Sequence, residues 1–364
     1  MLYDNLVKPL LFKLDAEWIH HRTVAFGAFL GRYKASRALI STIWPTINDP
    51  VLKTDLAGLS LANPVGLGAG FDKEGRLPRA LTAVGFGTME IGSVTGEPCP
   101  GNQPPRLWRL PEDRALVVNY GLLSSGAANI SRRLAADLKH GPWPMPVGIS
   151  VAKSNLPHLK GEAGLNDYLL AFTTMQPLAD YLTVNVSCPN VGDANQYCKD
   201  AGLYGALLAK LDTIKPIKPV FFKLSPDLSQ ERLLQIFEQT APYAWAKGFI
   251  LTNLTHDRAG LRSPNLAQAI KGGVSGPHLR ELADATLKFA AQNARQRFVF
   301  VGCGGIDSVE DAYRKIKLGA SSLQLVTSLI YHGPGWPRQL AMGLAAKLRA
   351  DGFNSVREAV GAGL

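Results

Sequence analysis

Cysteine is scarce in this 364-residue chain. Cys99, Cys188, Cys198 and Cys303 are the only four, and no two of them have a CxxC or other metal-ligand spacing. That argues against a thiolate metal centre, so no metal is expected, and it points to a reduced, intracellular setting. Long runs of one charge are also missing. Lys and Arg total 39 against 29 Asp and Glu, a formal charge of +10. The basic residues are scattered, which speaks against a nucleic-acid partner and leaves an anionic substrate or an anionic membrane surface. No apolar run approaches the roughly 20 residues needed to span a bilayer. Asp4, Lys8, Lys13 and Asp15 interrupt the N-terminal apolar pattern, so no signal peptide is expected.

What the chain does have is bulk: 46% of its residues are hydrophobic and 19% are charged. That composition fits one large globular α/β domain with a small appendage. Eight short runs rich in Val, Ile and Phe recur from residue 60 onward. They are Asn63–Gly70, Phe86–Val94, Pro146–Ala152, Tyr181–Ser187, Pro219–Ser225, Gly248–Asn253, Arg297–Cys303 and Ser321–Thr327. Each is bounded by Gly, Pro or Asn and separated from the next by a longer helical stretch, as buried parallel strands are. Eight βα units predict a (β/α)8 barrel. A doubly wound open sheet is the alternative, but Gly66-Leu67-Gly68-Ala69-Gly70 lacks its GxGxxG spacing.

Residues 1–45 read as a separate helical extension, with the barrel over 46–364. Leu6, Val7, Leu10, Leu11 and Leu14 keep helical spacing, and a second apolar segment runs from Trp18 to Leu30 before Pro45 and Pro50 break the pattern. Two ordinary packed helices or a hairpin with an apolar face open to lipid both fit.

Barrel chemistry gathers at the C-terminal strand ends. Those ends carry Lys73 after the first strand, Lys223 on the fifth, and Asn185-Val186-Ser187-Cys188-Pro189-Asn190 at the fourth. A thiol between two carboxamides suits a planar, carbonyl-rich ring, and two lysines at strand ends suit an anionic or carbonyl-rich ligand. Gly272-Gly273-Val274-Ser275-Gly276 precedes a helix, and Gly302-Cys303-Gly304-Gly305 follows the seventh strand and opens the next helix. Glycines there expose backbone N–H groups, and loops after the last two barrel strands commonly bind phosphate. A phosphorylated cofactor is therefore expected.

These stretches, in this order, resemble the dihydroorotate dehydrogenase family, specifically its membrane-associated, quinone-using class. The likeness is carried by Asn63 to Lys73, Gly85 to Thr95, Pro100-Gly101-Asn102 with Pro105-Arg106-Leu107, Lys223 to Leu228, and Gly302 to Ser308. It implies an FMN-containing barrel oxidising dihydroorotate to orotate in pyrimidine biosynthesis. Ala69, Gly70, Ser93, Lys223, Thr252, Ser275, Gly276, Gly304, Gly305 and Thr327 would line the flavin. Lys73, Asn185, Asn190 and Asn253 would contact the substrate. Cys188 would be the base, removing a proton while hydride passes to flavin N5. Arg106 would lie near the quinone, and the N-terminal helices would make a peripheral contact with the cytoplasmic face of a membrane.

The class normally carries serine where Cys188 stands, and a thiol, with a reference pKa of about 8.5, is a competent base. Other departures are less polar. Val118 replaces a ring-binding Asn, Leu122-Leu123 replaces Phe-Asn, Leu254 replaces Thr or Ser, Ser150 replaces Asn and Val326 replaces Tyr; the loop from Val191 to Tyr204 is also longer than usual. The flavin site reads as kept and the orotate site as edited, unless Asn119, Ser124 or the long loop restores the lost contacts. A flavin oxidoreductase acting on a less polar ring or enone, and a non-catalytic flavin-binding protein, are the rival readings.

Overall fold

The computed structural model describes residues 3–191, 196–263 and 270–364. Eight strands form a closed parallel barrel: β1 (Val65–Leu67), β2 (Thr88–Thr95), β3 (Val147–Ala152), β4 (Tyr181–Asn185), β5 (Val220–Leu224), β6 (Ala246–Leu251), β7 (Val299–Cys303) and β8 (Ala320–Leu325). Each pairs with its neighbour in sequence, and β8 closes on β1 with Leu323 opposite Val65 and Leu325 opposite Leu67. All eight expected strands are present. Helices cover the outside, so the strands are buried on both faces, which is why they read as continuous apolar runs.

Alternate strand residues serve two cores. Phe222, Phe249 and Phe300 point outward into the layer beneath the helices. Tyr181, Phe221, Ile250 and Val301 point inward, where they meet Leu56 and Leu61 of a hairpin formed by Thr54–Leu56 and Leu59–Leu61. Leu56 and Leu61 are the apolar face of that hairpin, while Asp55 and Ser60 point to solvent.

A second excursion shapes the site. Leu107–Leu110 and Ala115–Val118 form an antiparallel ribbon, extended by Gly273–Ser275 with Val118 opposite Gly273 and Leu116 opposite Ser275. This three-stranded sheet was not anticipated. It makes Gly273–Ser275 a strand, and helical backbone follows it as expected, Pro277–Leu279 leading into Arg280–Ala294. The seventh-strand glycines differ from expectation: the strand runs through Cys303, and the next helix starts only at Val309, capped by the Ser308 hydroxyl.

Among the described residues the N-terminal extension holds four helical segments where two helices were expected. Tyr3–Val7 and Lys8–Leu11 form short turns, α1 spans Ala16–Arg32 and α2 spans Lys34–Ile43. The Asp15 carboxylate caps α1 by accepting from the Trp18 N–H. Tyr33 breaks the run in extended backbone. α1 lies close on the barrel at Gly31, where any side chain would press on Ala80. Leu6, Leu10, Trp18, Phe26, Phe29, Leu39 and Ile43 are exposed together on this extension. No helix among the described residues is long and apolar enough to cross a membrane.

Candidate active site

The C-terminal strand ends and the ribbon enclose one cleft of about 1370 Å³, open mouth included. Its lining contains Ala69, Gly70 and Lys73 after β1, Ser93 on β2, Asn185, Cys188 and Asn190 at and beyond the end of β4, and Lys223 on β5. Thr252 and Asn253 after β6, Ser275 and Gly276 from the ribbon, Gly304 and Gly305 after β7, and Thr327 after β8 complete the set. Fifteen positions scattered over the sequence thus meet at one place.

At one end the backbone is open where side chains would be. Gly276 (φ 118°), Gly304 (φ 94°) and Gly305 (φ 73°) have left-handed backbone, and a Cβ on Gly305 would fall 2.3 Å from the Arg280 Cα. Glycine is needed there on both counts. The Ser275 and Thr327 hydroxyls bond each other at 2.7 Å, and the buried Ser328 hydroxyl has no partner among the described residues. A glycine cradle with spare hydroxyls fits a phosphate group. Lys223, buried on the barrel side, lines the same cleft.

At the other end a carboxamide network faces the cleft. Asn185 donates to Ser93 Oγ at 2.9 Å, and Ser93 in turn bonds Ser150 Oγ at 2.9 Å. Asn253 donates to Asn185 Oδ1 at 3.3 Å and to Ser187 Oγ at 3.1 Å. Asn190 accepts from the Gly273 N–H at 3.1 Å. The amides are therefore oriented before any ligand arrives.

Cys188 sits beside this network but in an apolar pocket made by Leu122, Ala152 and Val191. Burial pushes its thiol up to about 11, against a smaller lowering by the Asn190 N–H. Burial thus favours the neutral form of the thiol. Leu122 holds this position in left-handed backbone, φ 62°, unusual for a leucine.

Val118, Leu122, Leu123 and Leu254 all line the cleft. The side chains considered as replacements are engaged elsewhere. Asn119 Oδ1 accepts from Asn102 at 2.9 Å and the residue faces a separate outer groove, while Ser124 Oγ accepts from the Gly126 N–H at 3.1 Å. Of the long loop, residues 192–195 lie outside the described residues.

Arg106 does not line the cleft. It forms a buried ion pair with Glu17 of α1, through both Nε and Nη2, and its guanidinium lies 5.3 Å from the Tyr120 ring centroid. Glu17 and His20 were missed in the sequence. The signal was their i,i+3 spacing behind the Asp15 cap, which puts both on the barrel-facing side of α1. His20 lines the cleft and stacks edge-on with Phe71 at 5.3 Å; burial first, then the nearby Lys73 charge, hold its pKa well below the ordinary value.

Comparison with known proteins agrees with this geometry. The model of the dihydroorotate dehydrogenase family matches residues 51–348. The chain is 38% identical to the dihydroorotate dehydrogenase (quinone) of Nostoc punctiforme, covering 99% of this chain and 98% of that protein. It is 39% identical to the enzyme of the same name from Halobacterium salinarum, covering 99% of each. A solved structure of the Eimeria tenella enzyme with ferulenol superposes with a TM-score of 0.84 at 26% identity, over 96% of this chain and 95% of that one.

Proposed function

Because the chain belongs to the dihydroorotate dehydrogenase family, and to its quinone-dependent class, we propose that it is an FMN enzyme that oxidises dihydroorotate to orotate and passes the electrons to a membrane quinone. The observation that carries this reading is the meeting of Lys73, Asn185, Asn253 and Cys188 at one end of a cleft whose other end is the Gly276, Gly304 and Gly305 cradle. Bound in that cleft, the flavin supplies the hydride acceptor and relays electrons to the quinone.

The chain's own residues do the rest. Asn185 and Asn253 fix the ring through its amide and carbonyl groups, and the Lys73 ammonium takes the carboxylate. The Cys188 thiolate removes the proton from the carbon next to the one that loses hydride. Asn190, which lines the cleft and accepts from the Gly273 N–H, adds a further contact to the substrate. Ala69, Gly70, Ser93, Thr252, Ser275 and Thr327 hold the flavin, and Lys223 supplies positive charge to its reduced form. The apolar wall of Val118, Leu122, Leu123 and Leu254 lowers affinity for the ring without altering this chemistry.

The exposed apolar side chains of residues 3–43 support a peripheral contact with a membrane, on the cytoplasmic face, as a unit distinct from the barrel. The quinone would enter between that unit and the ribbon, near His20 and the Arg106–Glu17 pair. The deciding experiment is oxidation of dihydroorotate by the purified, flavin-loaded protein with a ubiquinone analogue. Turnover that vanishes in Cys188→Ala is expected; no turnover above that variant in the unaltered protein would sink the reading.

A further inference from the structure

Lys73 is a cation with a crowded acidic neighbourhood and, among the described residues, no ion pair. The Asp72 carboxylate accepts from the Arg76 and Leu77 N–H groups at 2.9 and 2.7 Å. Glu74 accepts from the Ser125 N–H and hydroxyl and from Arg133. Glu17 is held by Arg106. The Lys73 ammonium instead lies over the face of Tyr120, with Nζ 3.7 Å from the ring centroid.

We propose that Tyr120 is a positioning residue for the substrate: its ring fixes the Lys73 ammonium by cation–π attraction while leaving that group's charge and N–H donors free for an anionic ligand. The inference rests on the orotate reading above and adds to it a residue and a reason. A carboxylate partner would hold Lys73 as well, but it would cancel the charge and repel an incoming carboxylate. A π face attracts the cation without accepting its N–H bonds. Burial, first of all, brings the Lys73 pKa down to about 8, with Glu17 acting in the opposite direction.

The ring is fixed independently of Lys73. Tyr120 packs with Ala16, Leu107, Leu116 and Tyr331, and its carbonyl accepts from the Asn102 N–H at 3.0 Å. Its hydroxyl is buried with no hydrogen-bond partner among the described residues, so the ring and not the phenol group is what the arrangement uses.

The test is orotate titration of the oxidised holoenzyme, followed by the change in flavin absorbance. Tyr120→Phe should bind within about twofold of the unaltered protein, because the face is kept. Replacing that phenylalanine by mono-, di- and trifluorinated analogues drains the face at nearly constant shape. Affinity should then fall stepwise, by about tenfold across the series, on the scale of a desolvated cation–π contact. In a Lys73→Gln background the series should be flat. A flat series with Lys73 present, or an equal fall in both backgrounds, overturns the inference while orotate still binds. Absence of orotate binding in the unaltered holoenzyme overturns the substrate reading itself, and this inference with it.

Discussion

The Cys188 thiol packs against Leu122, a leucine held at φ 62° in left-handed backbone. One side chain in a disfavoured conformation thereby excludes water and polar groups from the candidate base, and burial raises that base to about 11. The sign of the effect fixes a pH dependence. Below its pKa only a small fraction of the thiol is thiolate, and that fraction grows about tenfold per pH unit. The rate of flavin reduction by dihydroorotate should therefore keep rising from pH 6 to 10. Lys73 loses its charge above about 8, so the substrate KM should rise over the same upper range. Stopped-flow measurements at saturating substrate separate the two, and a rate plateau below pH 9 would contradict the buried thiol.

Leu122→Asn should move that rate profile to lower pH. Asparagine tolerates left-handed backbone, which removes a strain of about 1 kcal/mol, and its amide can hydrogen-bond a thiolate. The lost apolar burial offsets the relieved strain, so the melting temperature should shift little while the rate at pH 7 increases.

Val118→Asn should tighten orotate binding. The side chain lines the cleft, and neither Asn119 nor Ser124 takes over the contact. One neutral hydrogen bond contributes about 1 kcal/mol, which corresponds to about fivefold in Kd. Titration of the oxidised enzyme reads it directly.

Arg106→Met should destabilise the fold more than a surface change would. It leaves the Glu17 side chain, 11% exposed, without the guanidinium that pairs with it. Breaking a buried pair from one side costs about 3–5 kcal/mol. The double variant with Glu17→Gln should recover most of the melting temperature but not the quinone KM.

Gly305→Ala should yield protein that purifies without flavin. Its Cβ would collide with the Arg280 backbone and its φ of 73° disfavours alanine. Absorbance near 450 nm per mole of protein, a wavelength set by flavin chemistry in general at roughly that value, measures the loss.

The barrel was legible because its strands are continuous apolar runs punctuated by Gly, Pro and Asn, a pattern that survives without knowledge of any partner. The ribbon was not. Leu107–Leu110 and Ala115–Val118 are four residues each, and the third strand comes from after β6, so their pairing leaves no local period. The same distance in sequence hid the setting of Cys188. Its flanking asparagines were visible at once, but Leu122 arrives from a loop and Ala152 from the end of β3, and only their packing makes the thiol a weak acid. Glu17 was overlooked for a related reason: it reads as the acidic first turn of an amphipathic helix until Arg106, far along the chain, is seen beside it.

The ribbon has two sides with different neighbours. Leu107, Leu116 and Tyr120 pack toward Ala16, Phe12 and Tyr331, while Leu110, Ala115 and Val117 pack with Leu261, Ile270 and Val274. Because strand residues alternate, successive positions along it answer to different masters. A substitution at an even position between 116 and 120 alters the chamber shared by Lys73 and the N-terminal helices. One at 115 or 117 alters how firmly the third strand, with Ser275, is held against the cradle. Selectivity for the ring and retention of the cofactor can therefore drift separately within one short hairpin, leaving the eight-stranded scaffold untouched.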